Sequence, residues 1–138
     1  MRFLDTNVLL RYLTRDDEPK ARRALALMVR LERNEERALL SPMVVFETVF
    51  TLEKSYRVPR ARIRELLENL LSFRGLALAG KRVYYEALDL YERTAVSFAD
   101  AYNAAFMKAR GVDEIYSWDA DFDRVEGVVR LEPPDEAE

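Results

Sequence analysis

Apolar residues fall into short runs that alternate with longer stretches carrying an apolar position every third or fourth residue. Phe3-Leu4 is one such run, and it leads into Asp5-Thr6-Asn7. Val8, Leu9, Leu10, Tyr12 and Leu13 then read as a helix. Asp16, Asp17 and Pro19 mark the start of the next helix, whose stripe is Ala24, Leu27, Met28 and Leu31. Ala38-Leu39-Leu40 is a short strand, after which Ser41 and Pro42 supply an N-cap and a first-position proline for a helix to about Lys54. Pro59 opens another helix with Ile63, Leu66, Leu67, Leu70 and Leu71 on one side. Leu76-Ala77-Leu78 is a weak strand, Val83 to Tyr91 a helix, and Ser97 caps a helix that reaches Arg110 and stops at Gly111. Ile115-Tyr116 and Val128-Val129 are the last strands.

Strands alternating with helices predict an α/β fold: a mostly parallel central sheet of about five short strands with helices on both faces. Ligands of such sheets bind beyond the carboxyl ends of the strands. With 138 residues the chain is the size of one domain. That domain is expected over residues 1–132, followed by a short acidic tail, 133–138, expected to fray. The tail accounts for the net charge of −3: without Asp135, Glu136 and Glu138 the remaining 22 acids balance the 22 Lys and Arg. The N-terminal apolar run is too short and too interrupted by charge for a signal peptide or spanning helix, so a cytoplasmic protein without membrane contact is expected.

The chain has no His and no Cys. Imidazole bases, thiolate nucleophiles, disulfides and Cys/His zinc sites are excluded, which leaves carboxylates, hydroxyls, Lys/Arg or a hard cation for any chemistry. A Gly-rich phosphate loop is excluded too, because the four glycines are dispersed.

Four sets of carboxylates fall near the predicted strand ends. Asp5 closes the first strand; taken alone, capping of the following helix is the simpler account. Glu47 has Met43, Val44 and Phe50 as helical neighbours, which places it on an apolar stripe, where a charge is rare unless paired or holding a cation. A Glu snorkelling at the stripe's edge, or one paired with an Arg, explains it equally well. Ser97-Phe98-Ala99-Asp100 matches a capping box, yet the helix is nearly all apolar, so its first turn is expected to point Asp100 toward the sheet's carboxyl edge. Asp119, Asp121 and Asp123 follow the fourth strand; a solvated acidic turn is the ordinary explanation. Carboxylates gathered at one sheet edge bind either protons or a cation. With oxygen donors alone a hard cation is expected, Mg²⁺ or Mn²⁺ ahead of Ca²⁺, and carboxylate-bound Mg²⁺ is the usual device for hydrolysing a phosphodiester without a histidine.

These residues carry a family resemblance. Phe3 to Leu10, with Asp5-Thr6-Asn7 inside, resembles the opening motif of the PIN-domain nucleases. Ser41 to Glu47 resembles the second motif, Phe98-Ala99-Asp100-Ala101 the third, and Ser117-Trp118-Asp119-Ala120-Asp121-Phe122 the fourth. Order, spacing and length match the compact bacterial and archaeal members, chiefly the VapC-like toxins of type II toxin–antitoxin pairs. The resemblance implies a PIN-like three-layer fold and an endoribonuclease that depends on Mg²⁺ or Mn²⁺. Asp5, Glu47, Asp100 and Asp119 would be its acidic quartet and Asp121 an accessory ligand or a group supporting the ligands. Thr6, Asn7 and Ser117 would orient those carboxylates. It further implies a homodimer and a cognate antitoxin whose tail enters the acidic groove. Trp118 departs from the pattern, in which that position is commonly smaller.

RNA binding by a neutral body requires local basic patches. Lys54, Arg57 and Arg60 begin the densest run, continued by Arg62 and Arg64, and Arg11 and Arg15 lie close to Asp5 in the chain. Salt bridges with neighbouring Glu are the ordinary role for most of them. A competing reading makes the acidic pocket a non-catalytic module that docks a basic protein tail.

Overall fold

The computed structural model describes residues 1–136. The chain folds as two compact units, the first from Met1 to Lys81 and the second from Arg82 onward.

The first unit begins with β1 (Arg2–Phe3), α1 (Thr6–Thr14) and α2 (Glu18–Glu32), followed by β2 (Ala38–Leu39) and α3 (Pro42–Lys54). It ends with α4 (Arg60–Leu71) and β3 (Leu76–Ala77). The three strands are parallel in the order β1-β2-β3, with Phe3 opposite Leu39 and Leu39 opposite Ala77. Each parallel step needs a crossover, and the helix pairs α1/α2 and α3/α4 provide the two. The helix starts are set by local chemistry. The Asp17 carboxylate accepts from the Lys20 N–H at 3.2 Å, and Ser41 Oγ accepts from the Val44 N–H at 3.2 Å, with Pro42 in the first turn. Leu9, Met28, Leu31, Leu52, Ile63 and Leu67 are buried in the core of this unit. Asp16 fastens its loops: it accepts from Tyr56 Oη at 2.6 Å and from Arg11 Nη1 at 2.7 Å. These hydrogen bonds, Tyr56's foremost, hold its carboxyl below the usual range.

The second unit contains α5 (Lys81–Arg93), α6 (Phe98–Ala109), β4 (Glu114–Tyr116), a 3-10 turn (Ala120–Arg124) and β5 (Val129–Leu131). β4 and β5 pair in parallel, Ile115 opposite Arg130. Its core joins Tyr84, Leu88 and Tyr91 of α5 to Phe98 and Ala101 of α6; Tyr91 and Phe98 meet edge to face with ring centroids 5.7 Å apart. α6 ends where expected, since Gly111 takes φ of +71° just past its C-cap.

The α/β class, the parallel pairing and the five short strands agree with the sequence reading; among the described residues their hydrogen bonds form ladders of three and of two. Beyond β5, residues 132–136 form no helix or strand, and Ala137 and Glu138 of the expected tail lie outside the described residues. No helix among the described residues is long and apolar enough to cross a membrane.

Candidate metal centre

Three carboxylates meet in the second unit. Asp100 lies in the first turn of α6, and Asp119 and Asp121 lie in the segment that leaves β4; one oxygen from each falls within 4.8 Å of the others. Local hydrogen bonds place all three backbones. Ser97 Oγ accepts from the Asp100 N–H at 3.1 Å, Ser117 Oγ from the Asp119 N–H at 2.9 Å, and Asp119 Oδ1 from the Asp121 N–H at 2.9 Å. Ser117 Oγ thus holds the backbone of Asp119 in place. Burial raises the pKa of Asp100 above the usual carboxylate value, and the negative charges of Asp119 and Asp121 push the same way, against a hydrogen bond with Ser97. The shift marks a place where negative charge is held at a cost. Arg124 Nη1 lies 3.8 Å from Asp121 Oδ1.

A further side chain braces this segment. Arg130 of β5 gives Nε and Nη2 to the two oxygens of Asp123, at 3.0 and 3.3 Å, and Nη1 to the Ser117 carbonyl at 3.1 Å. The Arg130 side chain is only 19% exposed, and its guanidinium ties the two ends of the 117–123 segment together. Asp123 is therefore a brace, not part of the carboxylate cluster.

Asp5 and Glu47 belong to the first unit. Asp5 is the N-cap residue of α1, directly after the carboxyl end of β1, yet its side chain accepts no capping hydrogen bond. The simpler account of Asp5 therefore fails, and its exposed carboxylate is uncommitted to the helix. Next to it, Thr6 is buried and its Oγ1 has no hydrogen-bond partner among the described residues. Such an orphan costs about 1–3 kcal/mol. Glu47 corrects the sequence reading. Its flanking Met43 and Phe50 are 74% and 64% exposed, and Glu47 is exposed with them. The buried side of α3 is Val44, Val45, Thr48, Val49 and Leu52. Because this helix is apolar on nearly every side, apolar neighbours did not identify its inner face.

The family model of the PIN domain matches residues 2–128. The chain belongs to the PIN domain family. It is also 28% identical over 137 residues to a protein from Aquifex aeolicus described as a VapC ribonuclease, an alignment covering 99% of this chain and all of the relative. Within this PIN domain, Asp100, Asp119 and Asp121 suit a hard cation: three oxygen donors of like charge converge on one point, and half-buried Asp100 is reluctant to ionise alone.

The basic residues divide. Lys54 and Arg60 both lie near Glu53, at 3.5 and 3.7 Å; Arg62 pairs with Glu65, and Arg64 with Glu68 at 2.9 Å. The run singled out in the sequence is thus mostly an ion-paired helix surface. Arg57 and Arg15 are exposed at loop positions with φ of +53° and +56°. A different basic feature of the PIN domain escaped sequence reading. An open groove of about 520 Å³ is lined by Asn7, Arg11, Lys20, Arg23 and Arg30 over Val8, Ala24 and Leu27. Its cations come from two helices and are scattered along the chain, so no local run reveals them. Arg130 was equally hidden, as a single charged residue alternating between Val129 and Leu131.

Proposed function

We propose that this PIN domain is a metal-dependent endoribonuclease that hydrolyses RNA phosphodiester bonds with a water activated by Mg²⁺ or Mn²⁺. The observation that carries the reading is the convergence of Asp100, Asp119 and Asp121 within 4.8 Å in a chain without His or Cys. A divalent ion held there supplies charge that lowers the pKa of an attacking water and offsets charge on the phosphoryl oxygens and leaving group.

The remaining roles belong to the chain. Asp100 and Asp119 hold the ion, and Asp121 is an accessory ligand. Asp5 and Glu47, the acids of the first two motifs, complete the catalytic quartet. Thr6 and Asn7 orient Asp5, and Ser117 fixes Asp119. Arg11, with Arg15, Lys54, Arg57 and Arg60, contributes phosphate or antitoxin contacts. We take residues 1–132 as the functional domain and 133–138 as a tail. The likeness to a VapC ribonuclease supports the role of a toxin in a type II toxin–antitoxin pair, acting in the cytoplasm as a homodimer held in check by a cognate antitoxin.

Arg130→Lys tests the brace beneath the site. Lysine keeps the charge and loses the fork that joins Asp123 to the Ser117 carbonyl. Removing such a support costs roughly 10- to 100-fold in metal affinity or activity. The expected outcome is unchanged circular dichroism with cleavage that needs correspondingly more Mn²⁺. A wild-type Mn²⁺ dependence would show that Arg130 positions nothing.

The function itself is tested by incubating purified protein with total RNA, with Mn²⁺ and with EDTA. Fragmentation in Mn²⁺ that EDTA abolishes is expected. Intact RNA in both, together with no Mn²⁺ affinity, would instead favour a module that docks a basic protein tail.

A further inference from the structure

Trp118 stands between two residues already placed at the site, Ser117 and Asp119. It is 72% exposed. Tyr84, Tyr91, Phe98, Tyr102 and Phe106 meet one another in ring contacts inside the second unit, whereas Trp118 faces water. An indole is the largest apolar side chain, and leaving it in water forgoes more burial than any other residue would. Its backbone, in contrast, is tightly held. The Ser117 N–H donates to the Leu131 carbonyl at 2.9 Å, the Ser117 carbonyl accepts from Arg130 at 3.1 Å, and the Asp119 N–H donates to Ser117 Oγ at 2.9 Å. Both flanks of Trp118 are pinned. The chain therefore presents a flat, uncharged ring from a fixed backbone, one residue away from a carboxylate of the candidate metal centre.

We propose that Trp118 is a base-stacking platform that selects unpaired RNA beside the Asp100–Asp119–Asp121 carboxylates. The proposal rests on the ribonuclease reading and adds one residue to the RNA contact: the ring on which an unpaired base stacks. Every base has a π-face, so an indole adds affinity without demanding a sequence. A base inside a helix is already stacked, which makes duplex RNA a poor ligand for the ring. The chemistry also suits the charge. The acidic cluster repels phosphates, and a neutral ring strengthens binding without any cation. Because its backbone is already ordered, little freedom is lost on binding.

Trp118 is the only tryptophan, so its fluorescence reports on this side chain alone. Titration with a short single-stranded RNA, in the Asp100→Asn background with Mn²⁺ present, is expected to quench it; a duplex of the same sequence is expected to quench far less. In the parent protein Trp118→Ala is expected to raise KM for single-stranded RNA roughly 5- to 150-fold, the range for loss of one stacked base. kcat should change much less, and Trp118→Phe should recover most of the loss. Stacking is overturned if the RNA leaves the fluorescence unchanged, if duplex quenches equally, or if Trp118→Ala binds and cuts like the parent. The two readings fail separately. Quenching by single strands in a protein that never cuts RNA would retain stacking and remove the nuclease, whereas Mn²⁺-dependent cleavage indifferent to Trp118→Ala would do the reverse.

Discussion

Asp119→Asn and Asp100→Asn are each expected to fold normally and to cut RNA about a hundredfold more slowly or worse, because the charge a metal supplies at a phosphoryl centre is worth several kcal/mol. Either change removes a formal charge from the cluster while keeping the shape. Asparagine at 119 still offers an oxygen to the Asp121 N–H, and the bond from the Asp100 N–H to Ser97 is made by the backbone. Stability should move the opposite way to activity. The folded-state pKa of Asp100 is raised, so the metal-free native state binds its proton more tightly than the unfolded chain does, and this group's contribution falls as pH rises through that interval. Asp100→Asn should therefore melt no lower than the parent at neutral pH in EDTA. Cleavage at the parental rate in both variants, with Mn²⁺ present, would end the catalytic assignment.

Gly75→Ala is expected to be the most damaging single methyl group in the first unit. A Cβ there would stand 2.6 Å from the Leu31 carbonyl oxygen, 2.9 Å from Leu31 Cα and closer still to the Glu36 carbonyl oxygen. All three are backbone atoms, so no side chain can swing away. Gly75 is also a hydrogen-bonding hub: its N–H donates to the Leu31 carbonyl and its carbonyl accepts from the Ala38 N–H, both at 2.8 Å. The end of α2, the start of β2 and the entry to β3 are thus locked by one close approach. Overpacking of this kind costs about 3 kcal/mol or more, a fall in Tm of roughly 10 °C. Gly80→Ala is the control. Gly80 has φ of +69° but open space around it, so only the left-handed backbone penalty of about 1–2 kcal/mol applies. Equal melting of the two variants would show that the strand entry can relax.

Much of this architecture was legible along the chain because local chemistry dictates it. Ser41-Pro42, Asp17 and Ser97 each begin the helix expected of them, and the short apolar runs before Asp5, Ser41 and Ser117 are parallel strands. The carboxylates after β4 and at the start of α6 were readable for the same reason: strand ends and helix starts fix where they stand. Glu47 was misread in one respect. A helix as apolar as α3 has no unique inner face by periodicity, and only the packing of Val45, Thr48 and Leu52 selects it. The brace of Arg130 on Asp123, the close approach at Gly75 and the basic groove beside Asn7 depend on contacts between residues distant in sequence, which no local pattern encodes.

The origin of the oxygen added to the cut phosphate tests the central claim most directly. A metal-activated water attacks phosphorus itself, so cleavage in ¹⁸O-labelled water with Mn²⁺ should leave a linear terminal monophosphate carrying one labelled oxygen. EDTA should prevent any product from forming. A 2′,3′-cyclic phosphate end, or cleavage that persists in EDTA, would mean that the RNA's own 2′-hydroxyl is the nucleophile, and that the carboxylates of this PIN domain serve another purpose.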